Sequence, residues 1–317
     1  MGIDLNSAQL LIKAHENGVS FKRMATLGRQ YLLGDRQKLI AILLESGYEV
    51  SKDCLRRLLV PYTGHPEVYS EEFFSVLGAK EILAIDMSDY EGAQIVHDMT
   101  HPLPDSLVSS FDLVVDGGTL EHIFDLPTAL RNATRMVRPG GRFISLTMAN
   151  NFCGHGFYQL SPELFYRFLC PQNGYTIEAC VVWEDIPQSR FYRVPDPDAV
   201  QERINLTSEF GTYMFIQAKR LDDAAREFIP HQGVYTRLWN RELGESAISN
   251  GASQQSSILF KLRSVLKRIP VLRSAVVSGR KLPPIAAYRA MGEYRRLQIK
   301  RNTKGFLTPL EDLQVLR

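Results

Sequence analysis

Two histidines and three aspartates hold the positions from which this chain could do chemistry. Asp86 closes the apolar run Ile82-Leu83-Ala84-Ile85, Asp98 follows Gln94-Ile95-Val96-His97, and Asp116 closes Leu113-Val114-Val115. A carboxylate at the end of the second strand of a doubly wound sheet can accept both hydroxyls of a vicinal diol. The competing reading of Asp86 is a turn aspartate capping Ser88-Asp89. His122 lies shortly after Asp116, and His155 is flanked by Gly154 and Gly156, glycines that would let the backbone crowd a ligand. Imidazole titrates near neutral pH, and a well-placed general base contributes ~10²- to 10⁴-fold. For His122 the alternative is a structural histidine bonding backbone at the start of a helix. Glu121 reads as a helix N-terminal charge. His97, inside its strand, reads as packing or solvent-facing.

These residues need elements that bring them to one edge. Phe111 to Glu163 reads as strand, helix, strand: a buried run into Gly117-Gly118, a helix with Pro127 in its first turn and Leu130, Ala133, Met136 and Val137 on one face, a stop at Gly140-Gly141, and a strand from Arg142 to Met148. The crossover makes the two strands parallel, and parallel sheets bind ligands at the carboxyl ends of their strands. Asn150, Asn151 and the Gly154-His155-Gly156 triplet follow the second of those ends. Further strands are expected over 21–27, 82–86, 94–97, 175–183 and 212–218, seven in all, with helices over 7–17, 35–46, 70–78 and 161–169. Residues 48–69 form an insertion, either a lid or plain packing. Residues 186–211 are expected to be a substrate-facing loop.

A strand ending in Asp116, then GGTLEHIF, a helix closed by VRPGG and another strand resembles the middle of class I S-adenosylmethionine-dependent methyltransferases, in the broad group (types 11 and 12) whose fourth strand runs into a Leu-Glu-His turn. The resemblance covers about residues 70 to 183, is weaker from Phe21 to Gln30, and ends by about residue 220. It implies an α/β fold, a doubly wound, mostly parallel seven-stranded sheet of Rossmann-like form whose last strand is antiparallel, followed here by a helical C-terminal extension. It also implies S-adenosylmethionine as cofactor, held by Gly28, Gln30, Asp86, Met87, Asp98, Met99, Asp116 and Gly117. Asp98 would accept from the adenine amine beside an adaptable Met99. The chain departs from the family's first loop: Thr26 stands at the acidic position, and Gln30 and Leu32 replace two glycines. Some relatives bind a metal through Glu-x-x-Glu-His at the Leu-Glu-His turn. Gly118 replaces the first glutamate here, so no metal is expected. The base-methylating signature Asp-Pro-Pro-Tyr is replaced by Asp116-Gly117-Gly118-Thr119, which disfavours a nucleic-acid acceptor. The expected reaction is methyl transfer to a hydroxyl of a small molecule or a glycan sugar, with His155 and His122 as the candidate catalytic bases.

With 44% hydrophobic and 23% charged residues, the 317-residue chain has an ordinary globular composition. Its four cysteines, Cys54, Cys153, Cys170 and Cys180, are scattered, which fits reduced thiols in a cytoplasm. The first residues lack a secretory or myristoylation pattern, and no apolar run approaches the ~20 residues of a membrane span. The expected division is a methyltransferase domain over 1–220, a connecting segment and linker over 221–256, and a basic amphipathic extension over 257–317. Residues 255–317 hold 14 lysines and arginines against Glu293, Glu311 and Asp312. Residues 257–304 could lie on an anionic membrane at its inner face, dock a partner protein, or pack on their own domain. Two rival functions stand beside the enzyme: a nucleoside-binding or scaffolding protein that kept the fold, and a nucleic-acid methyltransferase using the basic tail.

Overall fold

The computed structural model describes residues 2–59, 68–186, 189–201, 203–223, 228–240 and 308–309. The linker over 244–256 and the basic segment over 257–304 lie outside them. By compactness the chain divides into one unit of residues 1–233 with 297–317 and a second of residues 234–296. Within the second, residues 234–240 are helical and Tyr235 stacks on Trp239.

The first unit opens with β1 (Gly2–Ile3), α1 (Leu5–Glu16), β2 (Arg23–Leu27), β3 (Tyr31–Leu32), α2 (Arg36–Glu45), α3 (Lys52–Leu58) and α4 (Glu71–Val76). It continues through β4 (Glu81–Asp86), β5 (Ile95–Val96), β6 (Phe111–Asp116), α5 (Leu126–Met136), β7 (Val137–Asn150) and α6 (Pro162–Phe168). After these come β8 (Tyr175–Glu184), β9 (Tyr192–Arg193), α7 (Pro197–Val200), β10 (Thr212–Arg220) and β11 (Thr308–Pro309). The main sheet runs β11-β9-β8-β10-β7-β6-β2-β4-β5. From β5 to β7 the strands are parallel, and β10 inserts antiparallel between β7 and β8. The seven expected strands are all present, and β9 and β11 extend the antiparallel side.

Helices begin where capping chemistry dictates. Asp4, Asp35, Ser51, Asp125 and Ser161 each accept a backbone N–H from the first turn of α1, α2, α3, α5 and α6. Helix α5 does not run on to Gly140-Gly141 as expected. It stops at Met136, because Pro139 offers no N–H and disfavours helical geometry at Arg138. The strand starts at once: Val137 pairs with Phe111, and register is recovered at Arg142 opposite Leu113 after a bulge. Gly141 is needed there, since a Cβ would sit 2.7 Å from the Asp112 carbonyl oxygen.

The two faces of the sheet carry two cores, one around Phe111, Met136, Phe143 and Phe165, the other around Phe21, Phe73, Phe74 and Trp183. The described part of the 48–69 insertion belongs to the second, through buried Cys54, Leu58 and Val68. The part of the 186–211 loop from Phe191 to Asp198 packs on the protein instead of facing outward. Phe191, Tyr192 and Val194 are buried, β9 pairs with β8, and Arg167 forks between Asp196 and Asp198. Among the described residues no helix is long and apolar enough to cross a membrane.

Candidate functional site

Strands β2, β4 and β6 end in register, with Leu27 opposite both Ile85 and Asp116. The first expected site residues therefore arrive on one edge. Gly28 is the pivot, in a left-handed conformation (φ +68°) that glycine adopts without strain. A Cβ on it would lie 3.2 Å from Thr119 Oγ1 and 3.5 Å from Asp86 Oδ2. The turn after β6, the end of β4 and the loop after β2 thus meet around a position kept clear of side chain. Asp86 is only partly buried. Its Oδ1 accepts the Met87 N–H at 2.6 Å, and Met87 itself is largely exposed. Asp98 stands just past β5. Thr100 donates to it from both N and Oγ1, His101 pairs with its other oxygen at 3.1 Å, and the Thr100 bonds hold its pKa below the usual carboxylate value.

Three expected cofactor residues carry side chains that serve the scaffold instead. Asp116 ends a strand buried along its whole length. Its carboxylate accepts from Ser145 Oγ at 2.7 Å and from the N–H groups of Thr119 and Leu120. Burial raises its pKa. Met99 packs into the first core, and Asn132 bonds its carbonyl at 2.8 Å. Gln30 is buried, donates to the Leu27 carbonyl, and lies against Gly117, where a Cβ would come within 2.3 Å of Gln30 Oε1. The chain after β2 enters β3 rather than a glycine-rich turn into a helix. Arg29 fastens that loop to the rim by bonding Glu71 at 2.6 Å and the Glu91 carbonyl at 2.9 Å, while lying 3.7 Å over the Tyr69 ring.

Beyond Gly117 and Gly118, Thr119 Oγ1 donates to the Leu27 carbonyl at 2.6 Å, and Leu120–His122 forms a single 3-10 turn. This turn points Glu121 inward and His122 outward. Glu121 is fully buried. Thr147 Oγ1 donates to its Oε2 at 3.1 Å, while its Oε1 accepts no hydrogen bond among the described residues. Desolvation, then the neighbouring Asp116, pushes Glu121 up to about 8. It is therefore no plain helix N-terminal charge. The loop after β7 folds back over this turn, with Phe157 and Tyr158 N–H groups donating to the Glu121 carbonyl at 2.8 and 3.2 Å. Gly156 (φ +69°) gives the loop room for the protein itself rather than for a ligand, since a Cβ would lie 2.8 Å from that carbonyl. Nothing lies within 4 Å of a Cβ on Gly154. The result places His155 Nε2 3.1 Å from His122 Nε2. Burial, then His155, lowers the His122 pKa, so that imidazole is the neutral form near pH 7. Asn151 steadies the far side of the loop by donating to the Ser208 and Phe210 carbonyls at 2.7 and 3.0 Å. Phe124 and Phe157, both largely exposed and each two residues after one of the histidines, meet edge to face at 5.6 Å.

Gly156→Ala should cost about 1–2 kcal/mol of stability, from the forced left-handed backbone and the contact with Glu121. A denaturant midpoint unchanged from the parent would show that the loop does not hold this course.

The Methyltransferase domain family model matches residues 69–145. No match is found among the curated proteins. Among solved structures, the chain is similar to a 1,6-didemethyltoxoflavin-N1-methyltransferase from Burkholderia thailandensis, crystallised with 1,6-didemethyltoxoflavin and S-adenosylhomocysteine (16% identity, 68% of this chain and 77% of that one, TM-score 0.31). It is similar to an S-adenosylmethionine-dependent methyltransferase from Mesorhizobium loti (14% identity, 66% and 96%, TM-score 0.34). A third similarity is to the branched-chain polyamine synthase from Thermus thermophilus in complex with N4-aminopropylspermidine and 5'-methylthioadenosine (13% identity, 71% and 57%, TM-score 0.35). The matched segment spans β4, β6 and α5 and ends within β7, the centre of the sheet described above. Over these residues the chain is similar to a methyltransferase domain.

Proposed function

We propose that the first unit transfers the methyl group of S-adenosylmethionine to a hydroxyl of a small molecule or a sugar, and that the acceptor oxygen comes to the His122–His155 pair. The observation that carries this reading is the convergence of two imidazoles on the same sheet edge as Gly28 and Asp86. The cofactor fits the rim where a Cβ on Gly28 would intrude. Asp86 would accept from the ribose hydroxyls, Asp98 from the adenine amine, and Met87 offers an exposed, adaptable apolar surface to the purine. Asp116 and Gln30 shape the floor beneath without reaching the ligand, so a contact at Asp116-Gly117 would come from backbone.

When bound, the cofactor supplies a methyl group on a positively charged sulfur that is already a good leaving group. The chain's own task is alignment, for which orientation alone can supply several kcal/mol. An amine acceptor arrives with its own lone pair once deprotonated, whereas a hydroxyl benefits from a group that takes its proton. The His122 imidazole, neutral near pH 7, provides one. Phe124 and Phe157 supply flat apolar surface for the acceptor's ring.

The test is a mass-spectrometric screen of the full chain with S-adenosylmethionine and panels of hydroxylated aromatics, sugars and amines. Gain of one methyl on a hydroxyl compound, lost with His155→Ala, is the expected result. Turnover of amines alone would overturn the oxygen assignment.

A further inference from the structure

We propose that Glu121, His122 and His155 form a binding site for one divalent transition-metal cation, of the borderline kind that takes imidazole and carboxylate together. The three residues can each offer one ligand atom, and these atoms all lie within 4.8 Å of one another. Glu121 and His122 are neighbours on one turn. The fold brings the third ligand from elsewhere, since the loop after β7 delivers His155 onto the turn that carries His122.

The spacing suits a metal. Two nitrogens 3.1 Å apart, each about 2.05 Å from a shared ion, subtend about 98° at it, a little less than a tetrahedral angle. The carboxylate supplies the second, independent observation. Glu121 is fully buried, yet its Oε1 has no hydrogen-bond partner among the described residues, a costly arrangement for a polar atom unless something else meets it. Thr147 donates to the other oxygen, the kind of hydrogen bond that orients a ligating carboxylate. Two nitrogens and one oxygen favour zinc, iron, cobalt or manganese over magnesium and calcium. Three protein ligands leave at least one position for the acceptor oxygen. With both Nε2 lone pairs on the cation, it is the cation, in place of the imidazoles, that would lower the oxygen's pKa so that its proton leaves to water. In this form the inference rests on the methyl-transfer reading, but the binding site itself does not.

The test uses the full chain, stripped with chelator and titrated with Zn²⁺ by calorimetry, with Co²⁺ absorption reporting coordination geometry. One equivalent is expected per chain. Glu121→Gln and His155→Ala should each weaken it by more than about ten-fold, and Thr147→Val by less. Circular dichroism and thermal melting check folding, and His155, on an exposed loop, can be replaced without opening the core. Binding of S-adenosylmethionine is measured on the same preparations, and Asp86→Ala should impair that while sparing Zn²⁺. No Zn²⁺ binding, or binding equal in all three variants, would overturn the metal site while leaving cofactor binding to be judged on its own result.

Discussion

Gly117→Ala should destabilise the first unit by about 1–3 kcal/mol, the range for forcing extra atoms into a filled interior. The new methyl would lie 2.3 Å from Gln30 Oε1 and 2.7 Å from its Cδ, and Gln30 is only 1% exposed, so it has nowhere to swing. Its amide already donates to the Leu27 carbonyl, so a retreat also breaks a bond that holds the end of β2. Two glycines, Gly117 and Gly118, follow β6, whereas the loop after β2 carries glutamine where the resembling family has glycine. The structure couples these facts, because the room that Gln30 fills is room that Gly117 leaves. Gln30→Ala should therefore rescue much of the loss, and the double variant should be more stable than the sum of the singles by more than the ~0.5 kcal/mol expected of independent sites. Additive losses in urea titrations would mean that the two do not meet.

The same pair shows what could be read in advance. Strands β2, β4, β6, β8 and β10 were legible as apolar runs, because a strand buried on both faces has little alternative composition. The edge on which Asp86, Asp98 and Asp116 arrive followed from their places at strand ends. What periodicity could not report is which of those carboxylates faces outward. Asp116 closes the most central of the three strands, with β2 and β7 on either side and the turn of residues 118–120 bonded over it, so it is buried. Asp86 and Asp98 lie toward the sheet's edge and stay partly open. The His122–His155 contact joins residues 33 apart through a loop whose course is set by Gly156 and the Glu121 carbonyl. No local pattern encodes such a pairing. Glu121 departs from a helix N-terminal charge at the surface for a related reason: it sits in a short 3-10 turn and its side chain is buried.

Asp86→Ala should weaken S-adenosylmethionine binding on the order of 10²- to 10⁴-fold, since two hydrogen bonds from ribose hydroxyls to a charged acceptor contribute about 1.5–3 kcal/mol each. The fold should survive the change. Asp86 is only half-buried, and the one hydrogen bond its carboxylate accepts among the described residues, from the Met87 N–H, is local and can be replaced by water. Asp86→Asn separates charge from shape. It keeps one acceptor oxygen beside Gly28 and should lose less than alanine, whereas a turn-capping aspartate would let asparagine and alanine differ in stability but not in affinity. Gly28→Ala is the complementary variant. Its Cβ would stand 3.5 Å from Asp86 Oδ2 and 3.2 Å from Thr119 Oγ1, narrowing the approach to the carboxylate without removing it, and the φ of +68° adds backbone strain. Calorimetry on all three would settle the role of this rim. If the parent binds S-adenosylmethionine and Asp86→Ala binds it equally well, the adenosine is held elsewhere, and the proposal that this edge of β2 and β4 forms the cofactor site falls. If parent and variants alike fail to bind, what remains is a methyltransferase fold in which Gln30 and Arg29 have closed the loop after β2 against the cofactor, the scaffolding alternative that the missing glycines first suggested.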